Sequence, residues 1–305
     1  SWIGWMGVLA GFLILSYYSV IAGWALAYVF RVGSGMMQAA DSAGIQQIFT
    51  DLVSDPEKLL AWHTMFLVLT MVVGARGVKQ GLEKAVRFLM PLLLILLLVL
   101  VGYAMNTGHF GDAVDFLFKP DISKLTGGAI LTAMGHAFFT LSLGMGAIMI
   151  YGSYLPENTS IAKTSIIISL ADTLVALLAG LAIFPIVFSF PDLSPGAGPG
   201  LIFQTLPLAF ANMPGGLLFG TLFFILIVVA AWTSSISLIE PAVAWLIENR
   251  GMTRVKAAVW SGIATWLVGI ATVLSFSHWA FDFNFLGAVK HNGIFDILDI
   301  LTANI

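Results

Sequence analysis

The sequence predicts an all-α integral membrane protein, and three observations carry that prediction. Of its 305 residues, 59% are hydrophobic and only 10% are charged. The mean hydropathy of +0.98 lies well outside the range of soluble domains. Charges are absent from Ser1 to Phe30, from Phe88 to His109, from Leu125 to Pro156 and from Leu193 to Ile239, and each stretch can cross a ~30 Å hydrocarbon core, which takes about 20 helical residues. These runs are continuous rather than alternating, which excludes an outer-membrane barrel of ~10-residue strands.

Seven spans follow along the chain. The first, 5–31, is uncharged until Arg31, and the second, 59–75, is shorter and carries His63 in an otherwise apolar run. The third, 84–105, is leucine-rich; the fourth, 126–152, holds glycines and hydroxyls in its middle; the fifth, 161–189, contains Asp172. The sixth, 216–247, carries a hydroxyl cluster, the seventh is 255–277, and an eighth begins near Gly293. The connection "ARGVKQGLEKAVR" packs Arg76, Lys79, Lys84 and Arg87 into one turn, which places it in the cytoplasm. Alternation from there puts eight of the 13 basic residues inside. The long outer segment "FPDLSPGAGPGLIFQTLPLAFANMPGG" is rich in Gly and Pro yet apolar, so it is expected to fold back onto the protein as a lid.

The absence of cysteine excludes disulfides and thiolate metal sites, and a net charge of −3 does not suggest a nucleic-acid partner. His63, His136 and His278 lack metal-ligand spacing, and Trp62, Trp245, Trp260 and Trp279 near span ends read as interfacial anchors. The chain opens on "SWIGWM" with no basic flank, so its first run is not read as a signal peptide, and it closes on "ILTANI" as a new apolar segment begins. Both ends read as cut.

Polar residues inside the spans point toward function. Gly144 and Gly146 permit a helix interruption, which frees backbone groups that protein, water or ligand must satisfy, and Thr140 and Ser142 set hydroxyls beside it. Close helix packing through small residues is the alternative. Thr233, Ser234, Ser235 and Ser237 cluster in the sixth span, where they either line a site or bond back to their own helix. Asp172 is an acid within a span and so a functional candidate by default. Hydroxyl, carbonyl and carboxylate oxygens suit a hard cation, and a broken helix near the midplane is a device of secondary transporters.

The stretch "FFTLSLGMGAI" resembles the unwound sixth helix of the neurotransmitter:sodium symporter family, and of its bacterial, leucine-transporter-like branch in particular. Three further motifs fall in the family's order: Tyr17–Tyr18 with Trp24 as in the third helix, Asp172 as in the seventh, and "TSSIS" as in the eighth. The resemblance covers essentially the whole chain and implies a twelve-helix fold with a five-plus-five inverted repeat. This chain would hold the third to ninth helices and the start of the tenth. The expectation is therefore one transmembrane transporter domain over 1–305, incomplete at both ends: a partial leucine-transporter-type bundle with about seven full spans, a broken sixth helix and the start of another span. The family's first helix, which supplies ligands to both sodium sites and much of the substrate pocket, lies outside the chain, and without it the chain is not expected to transport by itself.

The resemblance assigns Thr140 to the first sodium site, together with Asp172, which falls where the leucine transporter has an asparagine ligand. The Ala230 carbonyl, Thr233 and Ser234 match the second site. Tyr18 matches the tyrosine that hydrogen-bonds the substrate carboxylate. Ile14, Phe139, Ser142, Met145, Ser235 and Leu238 match the pocket wall, beside Thr140, and Phe139 is also the aromatic gate over the ligand. Asp299 falls nearest the tenth-helix acid of the outer gate, with Asp296 as the alternative.

The implied function is sodium-coupled symport of neutral, mainly apolar amino acids across the inner (plasma) membrane, with two sodium ions bound. The partners are the amino acid, sodium and the lipid bilayer, with a homo-oligomer left open. The position where the leucine transporter keeps a chloride-replacing carboxylate is Ala176, so Asp172 is expected to supply that charge and make transport chloride-independent. A channel would need a continuous polar lining, and an enzyme a catalytic constellation, neither of which the sequence offers. The alternatives are a non-transporting scaffold or sensor of the same family, or another ion-coupled transporter or channel.

Overall fold

The computed structural model describes residues 2–38, 40–77, 81, 83–190, 198–285 and 288–303. In chain order its helices are α1 (Trp2–Gly33), α2 (Ser42–Val53), α3 (Pro56–Ala75), α4 (Lys84–Ala104), α5 (Phe110–Phe118), α6 (Gly127–Thr140), α7 (Ala147–Ser153) and α8 (Ile161–Phe188). These are followed by α9 (Leu206–Asn212), α10 (Gly216–Arg250), α11 (Arg254–Ser275) and α12 (Gly293–Ala303), with a short hairpin, β1 (Phe283–Phe285) and β2 (Ala288–Lys290), before the last. Among the described residues, α1, α3, α4, α8, α10 and α11 are long and apolar enough to cross a membrane. The remaining expected span, 126–152, is split into α6 and α7.

Helix starts follow local capping chemistry. Asp55 accepts hydrogen bonds from the Glu57 and Lys58 amides, both at 3.1 Å, with Pro56 in the first turn of α3. Thr126 accepts from the Ala129 amide at 3.1 Å to open α6. Helices α2, α5 and α9 lie in connections that hydropathy alone does not mark as structured, and of the basic turn between α3 and α4, Lys79 lies outside the described residues.

The centre of the bundle is α1, which packs against α10, α3 and α11. Trp24 and Tyr28 of α1 are fully buried with Phe224 of α10 and Phe203 of the outer segment. The expected lid does turn inward over its described part: a π-helical turn, Leu201–Thr205, and α9 bury Phe203, Leu206 and Phe210. Tyr28 donates its hydroxyl to the Phe203 carbonyl at 2.9 Å, which ties the lid to α1. The lid's residues 191–197 lie outside the described set.

Opposite this core, α6 buries none of its residues and α8 buries only its outer end, from Ala182 onward. The apolar side chains of that wall, such as Leu131, Met134, Ile167 and Leu170, are exposed.

Toward the end of α10 lies a buried acid that the sequence analysis does not single out. Glu240 of α10 is 1% exposed. It accepts from Arg254 Nη1 of α11 at 2.8 Å on Oε1 and from Arg254 Nη2 on Oε2. The Tyr154 hydroxyl, just past α7, donates to the same Oε1 at 2.9 Å. Arg254 Nε donates to the Gly74 carbonyl of α3 at 2.8 Å. One bidentate pair thus fastens four elements, with the satisfied hydrogen bonds that a buried charge requires.

Candidate ion and substrate site

The α6–α7 interruption comes from backbone geometry that the local sequence permits. Gly144 (φ 82°) and Gly146 (φ 80°) both sit in the left-handed region, which glycine enters without steric penalty. Between them and α6, Ser142 has φ 56°, and it is the only positive-φ residue other than glycine among those described. Such a conformation costs on the order of 1–3 kcal/mol and concentrates at functional sites. The Ser142 amide reaches the Phe139 carbonyl at 3.0 Å and the Leu143 amide the Phe138 carbonyl at 2.9 Å, so the helix closes on itself just before it opens.

The assigned oxygens fall into two groups, one at this break and one on α10. At the end of α6, Thr140 Oγ1 donates to Asp172 Oδ1 of α8 at 3.0 Å, so the two residues assigned to a first cation are neighbours. In α10, Thr233 Oγ1 and Ser234 Oγ both reach the Ala230 carbonyl, at 2.8 and 3.2 Å. These are bonds back to their own helix, as are those of Ser235 to the Trp232 carbonyl at 2.8 Å and Ser237 to the Thr233 carbonyl at 3.2 Å, and they leave the three oxygens assigned to a second cation on one helical turn. Carboxylate, hydroxyl and carbonyl donors with no nitrogen or sulfur form a set suited to a hard cation.

The apolar pocket residues are also brought together. Ile14, Met145 and Leu238 belong to one buried cluster against which Tyr18 packs. Phe139 and Met145 share the lining of a cavity of about 540 Å³ that α1, the break and α12 enclose.

Other assignments separate. Ser235 is fully buried and turned toward α3, where its hydroxyl pairs with Thr70 Oγ1 at 2.8 Å, so it engages a helix–helix contact. The two acids of α12 stand in different surroundings. Asp296 Oδ2 accepts from the Asn292 amide at 2.8 Å and is 7% exposed, which commits it to the helix start. Asp299 is half-buried and carries no salt bridge among the described residues. The Tyr17 hydroxyl meets Thr302 Oγ1 at 3.0 Å, holding α12 against α1.

The structure gives His63 a structural role that the sequence reading does not assign. His63 is fully buried on α3, with Nδ1 3.1 Å from Ser19 Oγ of α1. Ser19 Oγ gives its proton to the Leu15 carbonyl at 2.7 Å, so His63 Nδ1 is the donor in their contact. The residue joins α1 to α3; a lone histidine carries no sequence signal of this role.

Comparison with known proteins agrees with this geometry. The profile of the sodium:neurotransmitter symporter family matches residues 44–283. An uncharacterised sodium-dependent transporter of Bacillus subtilis is 39% identical over 302 residues, which is 99% of this chain and 66% of that protein. One from Haemophilus influenzae is 33% identical over 99% of this chain and 66% of its own length. The crystal structure of MhsT in complex with L-phenylalanine superposes with a TM-score of 0.87 at 39% identity, covering 99% of this chain and 67% of that one. The chain thus spans about two thirds of the length of these relatives. It has the leucine-transporter-type bundle with its broken helix, and it belongs to the sodium:neurotransmitter symporter family.

Proposed function

We propose that the protein is a sodium-coupled symporter of neutral, mainly apolar amino acids in the inner (plasma) membrane. The observation that carries this reading is the break at Leu141–Gly146, which sets free backbone beside the Thr140–Asp172 pair and an apolar cluster. Sodium binds at Thr140 and Asp172 and, separately, at the Ala230 carbonyl, Thr233 and Ser234, each set completed by residues of a first helix. Asp172 supplies a negative charge beside the first cation, so no chloride is needed. The substrate carboxylate meets Tyr18, and its side chain lies among Ile14, Phe139, Met145 and Leu238. None of these is charged, and a charged side chain there would be buried without a partner. Phe139 closes over the substrate and Asp299 serves the outer gate. The L-phenylalanine bound to MhsT supports an apolar substrate.

The test uses the full-length protein in proteoliposomes. An inward sodium gradient is expected to drive uptake of L-phenylalanine, with L-leucine competing and L-lysine and L-glutamate competing weakly. Uptake that is indifferent to sodium, or equal competition by the charged amino acids, overturns the proposal.

A further inference from the structure

We infer that Gly7 and Gly11 of α1 are positioning residues that set the size range of the substrate pocket, an inference that rests on the amino-acid symport proposed above. Positions 7, 11, 14 and 18 share one helix face. On its outer half Ile14 and Tyr18 face the pocket; on its inner half there is no side chain. A methyl added at Gly11 would stand 2.8 Å from the Met145 carbonyl oxygen and 3.3 Å from that of Leu238. One added at Gly7 would stand 3.1 Å from the Gly146 nitrogen and 3.2 Å from the Gly144 oxygen. The fit is reciprocal, since a methyl at Gly146 would meet the Gly7 carbonyl carbon at 3.3 Å and Pro241 Cβ at 3.4 Å. The broken segment therefore lies with its backbone directly on α1 and forms the floor of the pocket.

All of the close atoms at Gly7 and Gly11 are backbone, so no rotamer change relieves a methyl at either position. The helices on both sides are held by their hydrogen-bond ladders. The break is not: the amides of Gly144, Met145 and Gly146 make no backbone hydrogen bond among the described residues. A side chain at Gly11 thus displaces the break rather than α1 or α10. Met145, which packs with Ile14 and Leu238, moves with it into the space those residues frame, and the pocket shortens from its floor. Large substrate side chains lose more than small ones, and a change of one methylene in an apolar pocket alters selectivity by about 10–200-fold.

The experiment compares Gly11→Ala and Gly7→Ala with wild type and with Gly102→Ala, where an added methyl meets nothing within 4 Å. Kinetics of L-phenylalanine and L-alanine uptake are measured for the full-length transporter in proteoliposomes. Gly11→Ala is expected to raise the KM for L-phenylalanine roughly tenfold relative to that for L-alanine, with kcat changed far less and Gly102→Ala like wild type. Adding Met145→Ala to Gly11→Ala is expected to restore L-phenylalanine. An unchanged ratio of the two KM values overturns the inference. Should Gly11→Ala fail to fold, the milder contacts at Gly7 carry the same comparison. Hydrogen exchange of the segment 141–147 without substrate supplies a readout independent of transport: faster exchange in Gly11→Ala than in wild type is expected, and identical exchange overturns the positioning role. Absence of sodium-driven uptake by wild type instead defeats the symport reading alone.

Discussion

Asp172 does two things in the proposed cycle: it contacts a cation, and it contributes the charge that makes chloride unnecessary. Its hydrogen bond from Thr140 at 3.0 Å places the carboxylate beside the end of α6. Asp172→Asn keeps the size and an acceptor oxygen but removes the charge. The half-saturating sodium concentration of uptake is expected to rise tenfold or more, corresponding to about 1.4 kcal/mol, and uptake by the variant is expected to gain a dependence on chloride. Replacing chloride by gluconate checks both proteins; loss of wild-type activity in gluconate refutes the charge argument. In α10 the convergence of Thr233, Ser234 and the Ala230 carbonyl predicts that removing both hydroxyls by alanine also raises the sodium requirement, with L-phenylalanine binding at saturating sodium less affected. Sodium titration of uptake reads this directly, and an unchanged midpoint removes the assignment. Asp172 is legible in the sequence because an ionisable group in lipid is costly and needs a reason. Ser235 is not, because adjacent hydroxyls on one helix look alike until a neighbour such as Thr70 takes one of them.

Among the elements, the Glu240–Arg254 pair holds the inner half of the bundle together, and its strength depends on both partners being present. Arg254→Met leaves Glu240 buried, with Tyr154 as its remaining hydrogen-bond donor. Removing one member of a buried pair typically costs about 3–5 kcal/mol. Arg254→Met is therefore expected to lower thermal stability in nanodiscs markedly, and the double variant Glu240→Leu, Arg254→Met to recover most of it. A single variant as stable as wild type would show that the pair contributes nothing net. The sequence places Arg254 in a cytoplasmic turn and Glu240 near a span end, and nothing in their 14-residue separation says that they meet. The broken helix is the opposite case. Gly144 and Gly146 permit an interruption from their local sequence alone, because two glycines two residues apart inside an apolar run weaken the helix in place, and the structure decides for the interruption over close packing.

For the whole molecule, the charge distribution predicts the orientation. The connection between α7 and α8 is expected in the cytoplasm and the one between α4 and α5 outside. The described chain contains no cysteine, so single-cysteine variants serve as reporters. In intact cells a membrane-impermeant maleimide is expected to label Asn106→Cys, and to label Glu157→Cys only after permeabilisation. The reverse pattern inverts the topology. The same view explains the uneven burial. The wall made by α6 and the inner half of α8 is apolar and exposed, a surface for lipid or for further transmembrane segments, and the relatives extend beyond this chain by about a third of their length.

By itself the sequence determined that the protein is a membrane bundle, where its spans lie to within a few residues, that one span can be interrupted, and which oxygen-bearing residues are candidates for a cation. These follow from hydropathy, charge placement and glycine, all local properties that a helix in lipid obeys residue by residue. Only the tertiary structure decided which candidates stand together. It pairs Thr140 with Asp172 across two helices and gives Ser235 to Thr70. It turns the outer segment inward under Tyr28, and it buries Glu240 against Arg254. Each of these depends on which faces of distant helices meet, and that is set by packing complementarity such as the bare seat of Gly7 and Gly11, which no local pattern records.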